Sequence, residues 1–178
     1  LARTFWLSVP DQESLEISQA EKLAIKDIPA QVARMLKDGR SERMIHSFCD
    51  QWLDLRSFDK IAPSLKLYPL YNDLLNHYLP LETQAYLEHL IQQNLPIGRL
   101  IDSDFSFLNQ RLAQHYGIPG IYGQEMRKVS FKPEVPRGGL MTMGSVLKVT
   151  ADGFDTSPIL RGAWISKNIA GNTFSPPP

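Results

Sequence analysis

Apolar residues recur at helical spacing through the first two-thirds of the chain, and residues typical of helix ends separate the apolar runs. The clearest run follows Ser41 and places five residues on one helical face, namely Met44, Ile45, Phe48, Cys49 and Trp52. A run before it stops at Gly39, because glycine is the residue that most often ends a helix. Amphipathic helices bury their apolar faces against one another, so the pattern predicts an irregular helical bundle.

Two further helices are predicted between residues 72 and 116. Pro80 lies inside the first, 72–94, and we expect it to kink or split that helix because it removes a backbone donor. Asp102 or Ser103 is expected to cap the second, Phe105 to Tyr116. Gly117-Ile118-Pro119 then ends it, because glycine adopts the left-handed conformation and proline prevents continuation.

The pattern becomes shorter and richer in loops after residue 120. Met126-Arg-Lys-Val-Ser-Phe-Lys alternates weakly, and Val146-Leu-Lys-Val-Thr offers it a partner strand. The alternative, which we favour, is a small-residue helix over 139–147 packed closely on the bundle. Thr156 or Ser157 caps a last helix that starts at Pro158.

The predicted fold class is therefore mainly α, with at most a small two-stranded ribbon. We divide the chain into a helical bundle, 1–120, and a loop-rich C-terminal segment, 121–178, packed on that bundle as one compact unit. Ser175-Pro-Pro-Pro predicts an extended proline-rich linker at the end of this segment. Because the first residue is also not methionine, we expect the chain to be a fragment of a longer protein.

Charge and composition exclude several classes of partner. Nineteen basic and nineteen acidic residues cancel, so no electrostatic argument favours nucleic acid. No apolar run approaches the roughly 18 residues of a membrane span.

Cys49 is the only cysteine, which excludes an internal disulfide. Its apolar helical face predicts a small buried side chain rather than a catalytic thiol.

Three stretches of the chain carry a resemblance to a known family. They are Phe48-Cys-Asp-Gln-Trp-Leu-Asp-Leu-Arg56, Asn109 to Gly120, and Arg137 to Pro178 with its Arg-Gly-Gly and Thr-Ser-Pro-x-x-Arg-Gly-x-Trp motifs. The chain resembles the paired domains of unknown function, numbered 1592 and 1588, of large planctomycete-type extracytoplasmic proteins. The resemblance implies a periplasmic or secreted location and a flanking c-type cytochrome domain outside this chain. It implies no reaction.

An anion site is the small-ligand site that the sequence favours most. Thr156 and Ser157 open a helix, whose first turn exposes free backbone N–H groups, and Arg161 follows one turn later. Arg137, beside two glycines, approaches this site from the other side and supplies a second set of bidentate donors for a carboxylate or phosphate. In the alternative interpretation Arg161 pairs with Asp152 or Asp155 and only fixes the loop.

His115 and Met143 are the candidates for a metal or haem ligand. His115 lies in the last turn of a predicted helix, where the helix dipole favours its protonated form, and thioether sulfur ligates haem iron. Core methionines and capping histidines are far commoner than ligands. We therefore expect no cofactor within this chain and place the expected haem c on the neighbouring domain.

Enzyme signatures are missing from the sequence, and the question of catalysis is left open. There is no nucleophile elbow, no phosphate loop and no dinucleotide fingerprint. The leading hypothesis is a structural and interaction module that orients or docks a haem domain or its partner. The alternative is an active-site domain of an oxidoreductase or a polysaccharide-degrading enzyme, with a pocket near Arg161, Arg137 and His115.

Overall fold

The computed structural model describes residues 1–19 and 24–172, and the predicted proline-rich linker at 175–178 lies outside them. The described chain is mainly helical with one two-stranded antiparallel ribbon. Its α-helices are α1 (Ala2–Phe5), α2 (Gln12–Gln19), α3 (Ile28–Lys37), α4 (Ser41–Trp52), α5 (Asp73–Gln92), α6 (Gln110–Tyr116), α7 (Gly144–Val149) and α8 (Pro158–Asn168). Short 3-10 helices occupy Ile25–Asp27, Leu55–Lys60, Ile97–Leu100 and Leu140–Thr142.

Helix α5 is the central element and runs through Pro80 without a break. The prediction that Pro80 splits this helix is therefore wrong. A proline inside a helix costs about 3 kcal/mol. Burial of apolar side chains on both sides of it, including Leu75, Leu79 and Leu87, offsets that cost by holding the two halves against the core.

The prediction of one long helix from Phe105 to Tyr116 is wrong, because the first residues of this stretch form a strand of the ribbon. Residues Phe105–Leu108 form strand β1, which pairs antiparallel with β2, Arg127–Ser130, in the register Phe105 with Ser130. The helix begins only at Gln110, because Asn109 caps it by accepting the Leu112 N–H at 3.0 Å. Its predicted end is confirmed: Gly117 adopts φ 70°, and the Ile118 N–H returns to the Ala113 carbonyl.

Residues 146–149 are helical rather than a strand, but the helix predicted over 139–147 has other bounds: a 3-10 turn, Leu140–Thr142, is followed by the extended Met143 and then by α7, Gly144–Val149. Helix α7 lies against α5, and Gly144 at its start faces Leu79. Helix α8 begins as predicted, with the Ser157 hydroxyl accepting the Leu160 N–H at 3.2 Å. Two tryptophans bind α8 to the α4 region, because Trp164 donates to the Leu53 carbonyl and Trp52 to the Asn168 carbonyl.

The largest apolar core in the described part of the chain joins the central helices to the C-terminal segment. Residues of α4 and α5, such as Cys49 and Tyr86, pack with Leu140, Val146 and Trp164. The Cys49 side chain is completely buried and burial raises its pKa, so the structure confirms that it serves as a small core residue. None of the helices in the described part combines the length and apolar character that a membrane crossing requires.

Two consecutive glycines of the Arg-Gly-Gly motif lie directly on the backbone of residues 100–103. Gly139 has φ 71°, and a Cβ placed on it would lie 2.4 Å from the Ile101 carbonyl oxygen. A Cβ on Gly138 would lie 1.8 Å from the Ser103 carbonyl oxygen. Neither position accepts a side chain without moving main-chain atoms, which explains the glycine pair.

We therefore expect Gly139→Ala to lower the free energy of unfolding by about 2–4 kcal/mol, from overpacking together with left-handed strain. Gly162→Ala in α8 is the matched control, because a methyl group added there would meet no atom within 4 Å. This control should leave stability unchanged or raise it by about 0.5–1 kcal/mol. Urea unfolding of both variants measures the difference, and equal stability would contradict the packing described.

Candidate functional site

A cavity of about 590 Å³ opens where the C-terminal segment meets the bundle. Its lining includes residues of the connector, 61–71, the last residues of α6, and residues of α7. The cavity loop, residues 151–156, closes one end and is fixed to the connector by a hydrogen bond from the Ser64 N–H to the Gly153 carbonyl, 2.8 Å. Most of the lining is apolar or aromatic, including Leu67, Tyr68 and Leu79.

Arg161 reaches this cavity from the second turn of α8. Its Nε donates to the Thr150 hydroxyl at 3.3 Å and its Nη2 to the Thr156 hydroxyl at 2.8 Å. Within the described ranges no carboxylate lies within 4.0 Å of its guanidinium, so the predicted ion pair with Asp152 or Asp155 does not form. The hydrogen bonds to Thr150 and Thr156 nevertheless join the loop to α8, as that alternative expected. Its partners are neutral hydroxyls, which leave its positive charge uncompensated by contact.

Arg137 reaches the cavity from a different loop. Its Nη1 donates to the Thr142 carbonyl at 2.8 Å, and its Cζ lies 3.8 Å from the centroid of the Tyr116 ring. Like Arg161, it has no carboxylate contact within ion-pairing distance in the part of the chain that the structure describes. The structure thus brings together the two arginines predicted from the sequence, on the wall of one cavity.

Lys148 adds a third basic side chain to the cavity, and no functional role was predicted for it from the sequence. It projects from α7 and is only 9% exposed. Its Nζ donates to the Asn76 Oδ1 at 2.7 Å and lies 3.6 Å from the centroid of the Phe58 ring. Burial lowers the pKa of Lys148 from 10.5 to about 8, and the charge of Asp59 opposes this change.

A completely buried carboxyl group lies behind the cavity wall. Glu82 of α5 accepts the Ser106 hydroxyl at 2.6 Å on Oε1 and the Tyr116 hydroxyl at 2.5 Å on Oε2. The Tyr116 oxygen in turn accepts the Gly144 N–H at 2.9 Å. Because Tyr116 lines the cavity, this network holds one of its walls in place.

The pKa values around this network follow from burial. Burial raises the pKa of Glu82 from 4.5 to about 7, although its two hydrogen bonds and the charge of Arg137 oppose the rise. Burial and the neighbouring Glu82 carboxyl raise the pKa of Tyr116 well above 10, so its hydroxyl stays protonated and donates. Burial, with the charges of Arg111 and Arg137, lowers the pKa of His115, opposite to the effect expected from the helix dipole.

Only some of the other predicted site residues line the cavity. His115 and Thr156 line the cavity, whereas Ser157 is engaged in capping α8. Met143 is 2% exposed and packs in the main core with Leu140 and Val146, so it does not share the cavity with His115. Met143 and His115, the two ligand candidates predicted from the sequence, therefore do not face one shared cavity.

Sequence reasoning assigned no role to Lys148 and did not identify the buried position of Glu82. For Lys148 a signal exists, because it lies between the apolar residues Leu147 and Val149. For Glu82 the signal is its helical spacing from Leu79, Tyr86 and other residues of the apolar face. A charged residue among apolar neighbours indicates either an exposed helix face or a buried, specifically bonded group. Only the packing of α5 and α7 decides between the two.

Two family models match the chain. The model PSD4, described as protein of unknown function (DUF1592), matches residues 1–118. The model PSCyt3, described as protein of unknown function (DUF1588), matches residues 137–178. No curated protein and no solved structure matches the chain significantly. Lining residues of the cavity come from both matched stretches.

Glu82→Gln is expected to change how stability depends on pH. Because the folded protein holds the Glu82 proton up to pH about 7 whereas an unfolded chain loses it near 4.5, the native state is favoured at low pH. This contribution to the free energy of unfolding, about 3 kcal/mol, is lost as the pH rises from 4 to 8. Glutamine does not ionise, so the free energy of unfolding of the variant should not show this fall between pH 4 and pH 8.

Urea unfolding across this pH range measures the difference between the two proteins. Glu134→Gln, which replaces an exposed carboxylate, is the matched control and should follow the parent protein at every pH. If the Glu82→Gln curve were parallel to that of the parent, Glu82 would titrate normally and its burial would not control its proton.

Proposed function

The chain belongs to the DUF1592 family of proteins of unknown function, and from the geometry of its cavity we propose that it binds a small organic anion. The observation that carries the proposal is the presence of Arg137 and Arg161 on the wall of one cavity without carboxylate contacts among the described residues. Both arginines are hydrogen-bonded only to neutral oxygen atoms, so their positive charges have no acidic partner in contact among the described residues. Guanidinium groups turned into a cavity offer bidentate donors to a carboxylate or phosphate.

The other charged residues of the cavity also favour an anionic ligand. Lys148 contributes a third basic group, and Asp155 is the acidic residue of the lining. Three basic groups against one acid favour a positive potential in the cavity. The anion site predicted from Arg137, Thr156, Ser157 and Arg161 is thus supported, with Ser157 acting on the helix rather than the ligand.

The shape and lining of the cavity favour a ligand with an apolar body. Its volume lies in the range of roughly 300–1,000 Å³ that is typical of small-molecule sites. Leucine, proline and tyrosine side chains of the connector form one wall, among them Leu67, Tyr68 and Pro69. An anionic head at the arginines and an apolar or aromatic body against the connector would use both kinds of surface.

The wider context of the domain is part of the proposal. We place the chain in an extracytoplasmic protein beside a c-type cytochrome domain, which the resemblance implies and with which the model name PSCyt3 agrees. We place the haem on that domain and not in this chain, since Met143 is enclosed in the core away from His115. Among the described residues there is no cluster of three or more His, Cys, Asp or Glu side chains that could hold a metal ion.

A second candidate function is docking of that cytochrome domain on the rim of the cavity. The observation in its favour is a set of exposed large apolar side chains on the rim: Leu67 and Leu70 of the connector and Phe154 of the cavity loop, which are 55%, 78% and 63% exposed. The Tyr68 hydroxyl joins the two segments by donating to the Phe154 carbonyl at 2.9 Å. Exposed apolar patches of this kind mark interaction surfaces.

Anion binding is tested by calorimetric titration with benzoate and phenyl phosphate, with benzamide as the neutral analogue. We expect the anions to bind more tightly than benzamide and Arg161→Gln to weaken them by about 10- to 100-fold, equivalent to about 1.5–3 kcal/mol for a charge-assisted contact. Arg127→Gln is the control, because Arg127 bonds the Tyr122 carbonyl outside the cavity. Equal binding of benzamide, or unchanged affinity in Arg161→Gln, would contradict the proposal.

Docking is tested by titrating the chain with the separately expressed cytochrome domain of the same polypeptide. Leu70→Asp should weaken the complex by about tenfold or more, because a buried charge replaces an apolar contact. Ile97→Asp alters an equally exposed isoleucine outside the cavity lining and should have no effect. Absence of a complex, or equal effects of both substitutions, would remove this candidate.

A further inference from the structure

Lys148 is held in surroundings that a lysine with a purely structural role does not need. Its ammonium group has three donors, and the described structure gives it one hydrogen bond, to the Asn76 Oδ1. Its Nζ also lies between two aromatic rings, 3.6 Å from the centroid of Phe58 and 5.3 Å from that of Tyr71. The side chain is 9% exposed and forms part of the cavity wall.

Among the described residues no carboxylate contacts the Lys148 amine, and burial outweighs the charge of Asp59 in its effect on the pKa. The nearest acid, Asp59, does not contact the ammonium but accepts the Asn76 side-chain amide at 3.0 Å, so Asn76 separates the two charges. The Tyr71 hydroxyl also donates to the Asn76 Oδ1. With burial lowering the pKa of the lysine to about 8, a large fraction of its amine is neutral at mildly alkaline pH.

We propose that Lys148 captures a carbonyl group as an imine, and that the ligand of the cavity is an anion with an aldehyde or ketone at its other end. The carbonyl meets the Lys148 amine on α7, while the carboxylate or phosphate meets Arg161 or Arg137. This assignment of the anionic end rests on the anion-binding function proposed above. The assignment of the lysine rests on its own contacts.

The step is a reversible condensation that needs no oxidant or reductant. The neutral amine attacks the carbonyl carbon, a C–N bond forms as the C=O π bond breaks, and one N–H proton passes to the oxygen to give a carbinolamine. The nitrogen lone pair then expels the hydroxyl group, which takes the second N–H proton and leaves as water, so that a neutral C=N bond remains. The apolar side chains of Leu79 and Leu147 line the cavity in which this bond would form.

The probe is 4-formylbenzoate, which places an aldehyde and a carboxylate at opposite ends of a ring, added with sodium cyanoborohydride at pH 8. The borohydride reduces each imine to a stable secondary amine, and peptide mass spectrometry locates the label. We expect Lys148 to be labelled at least about tenfold faster than Lys128, since a pKa near 8 gives a roughly hundredfold larger neutral fraction than an ordinary lysine.

Lys128 is the matched internal control because it also lies over an aromatic ring, 4.0 Å from the centroid of Phe105, but is exposed. Lys148→Met should abolish the fast labelling and leave labelling of Lys128 unchanged, with thermal unfolding confirming that the variant is folded. Lys148→Arg, which keeps the charge over Phe58, should do the same. Equal labelling rates at Lys148 and Lys128 in the parent protein would overturn the assignment.

A neutral probe, 4-formylbenzamide, separates this inference from the function on which it partly rests. Fast labelling of Lys148 by both probes, unchanged in Arg161→Gln, supports the lysine assignment and overturns the anionic end of the ligand. Saturable binding of 4-formylbenzoate that weakens in Arg161→Gln, without labelling of Lys148, supports anion binding and overturns the imine. Fast labelling by 4-formylbenzoate alone, reduced at least about tenfold in Arg161→Gln, supports both.

Discussion

The fold depends on a carboxyl group that has no access to water. Glu82 brings four elements to one point: its own helix α5, β1 through Ser106, α6 through Tyr116 and, by the Gly144 N–H on Tyr116, the start of α7. An enclosed carboxyl group is costly unless it is hydrogen-bonded, so each partner is held in position by the need to satisfy it. The bundle, the ribbon and the C-terminal segment are oriented by this requirement as well as by apolar contact.

The hydrogen bonds around Glu82 also hold part of the cavity wall in place. Tyr116 is fixed at its hydroxyl by Glu82, and its ring supports the guanidinium of Arg137. The basic residues of the wall, Arg137, Lys148 and Arg161, all belong to the stretch matched by DUF1588, whereas the connector belongs to the stretch matched by DUF1592. The two matched stretches therefore contribute different chemistry to one site: an apolar wall from the first and basic groups from the second.

Residues typical of helix ends predicted where several helices begin and end. Contacts between residues distant in sequence could not be predicted from such residues. Ser157 and Gly117 act as the cap and the helix end that their residue types predict, since both effects operate within a few residues. Strand β1 was predicted as helix because its partner lies about twenty residues away and pairing of strands is decided by tertiary contact. The convergence of Arg137 with Arg161 was proposed from motifs, but Lys148 required knowledge of which helix face is covered.

The sharing of one apolar core between distant segments has a consequence for biosynthesis. While a ribosome has added residues up to 120 but not those that follow, the faces around Leu53 and Tyr86 are still without their covering residues Leu140, Val146 and Trp164. Translation exposes that surface for the time needed to add roughly fifty more residues, a few seconds at ordinary elongation rates. The nascent chain is open to aggregation through this apolar surface until α8 has emerged.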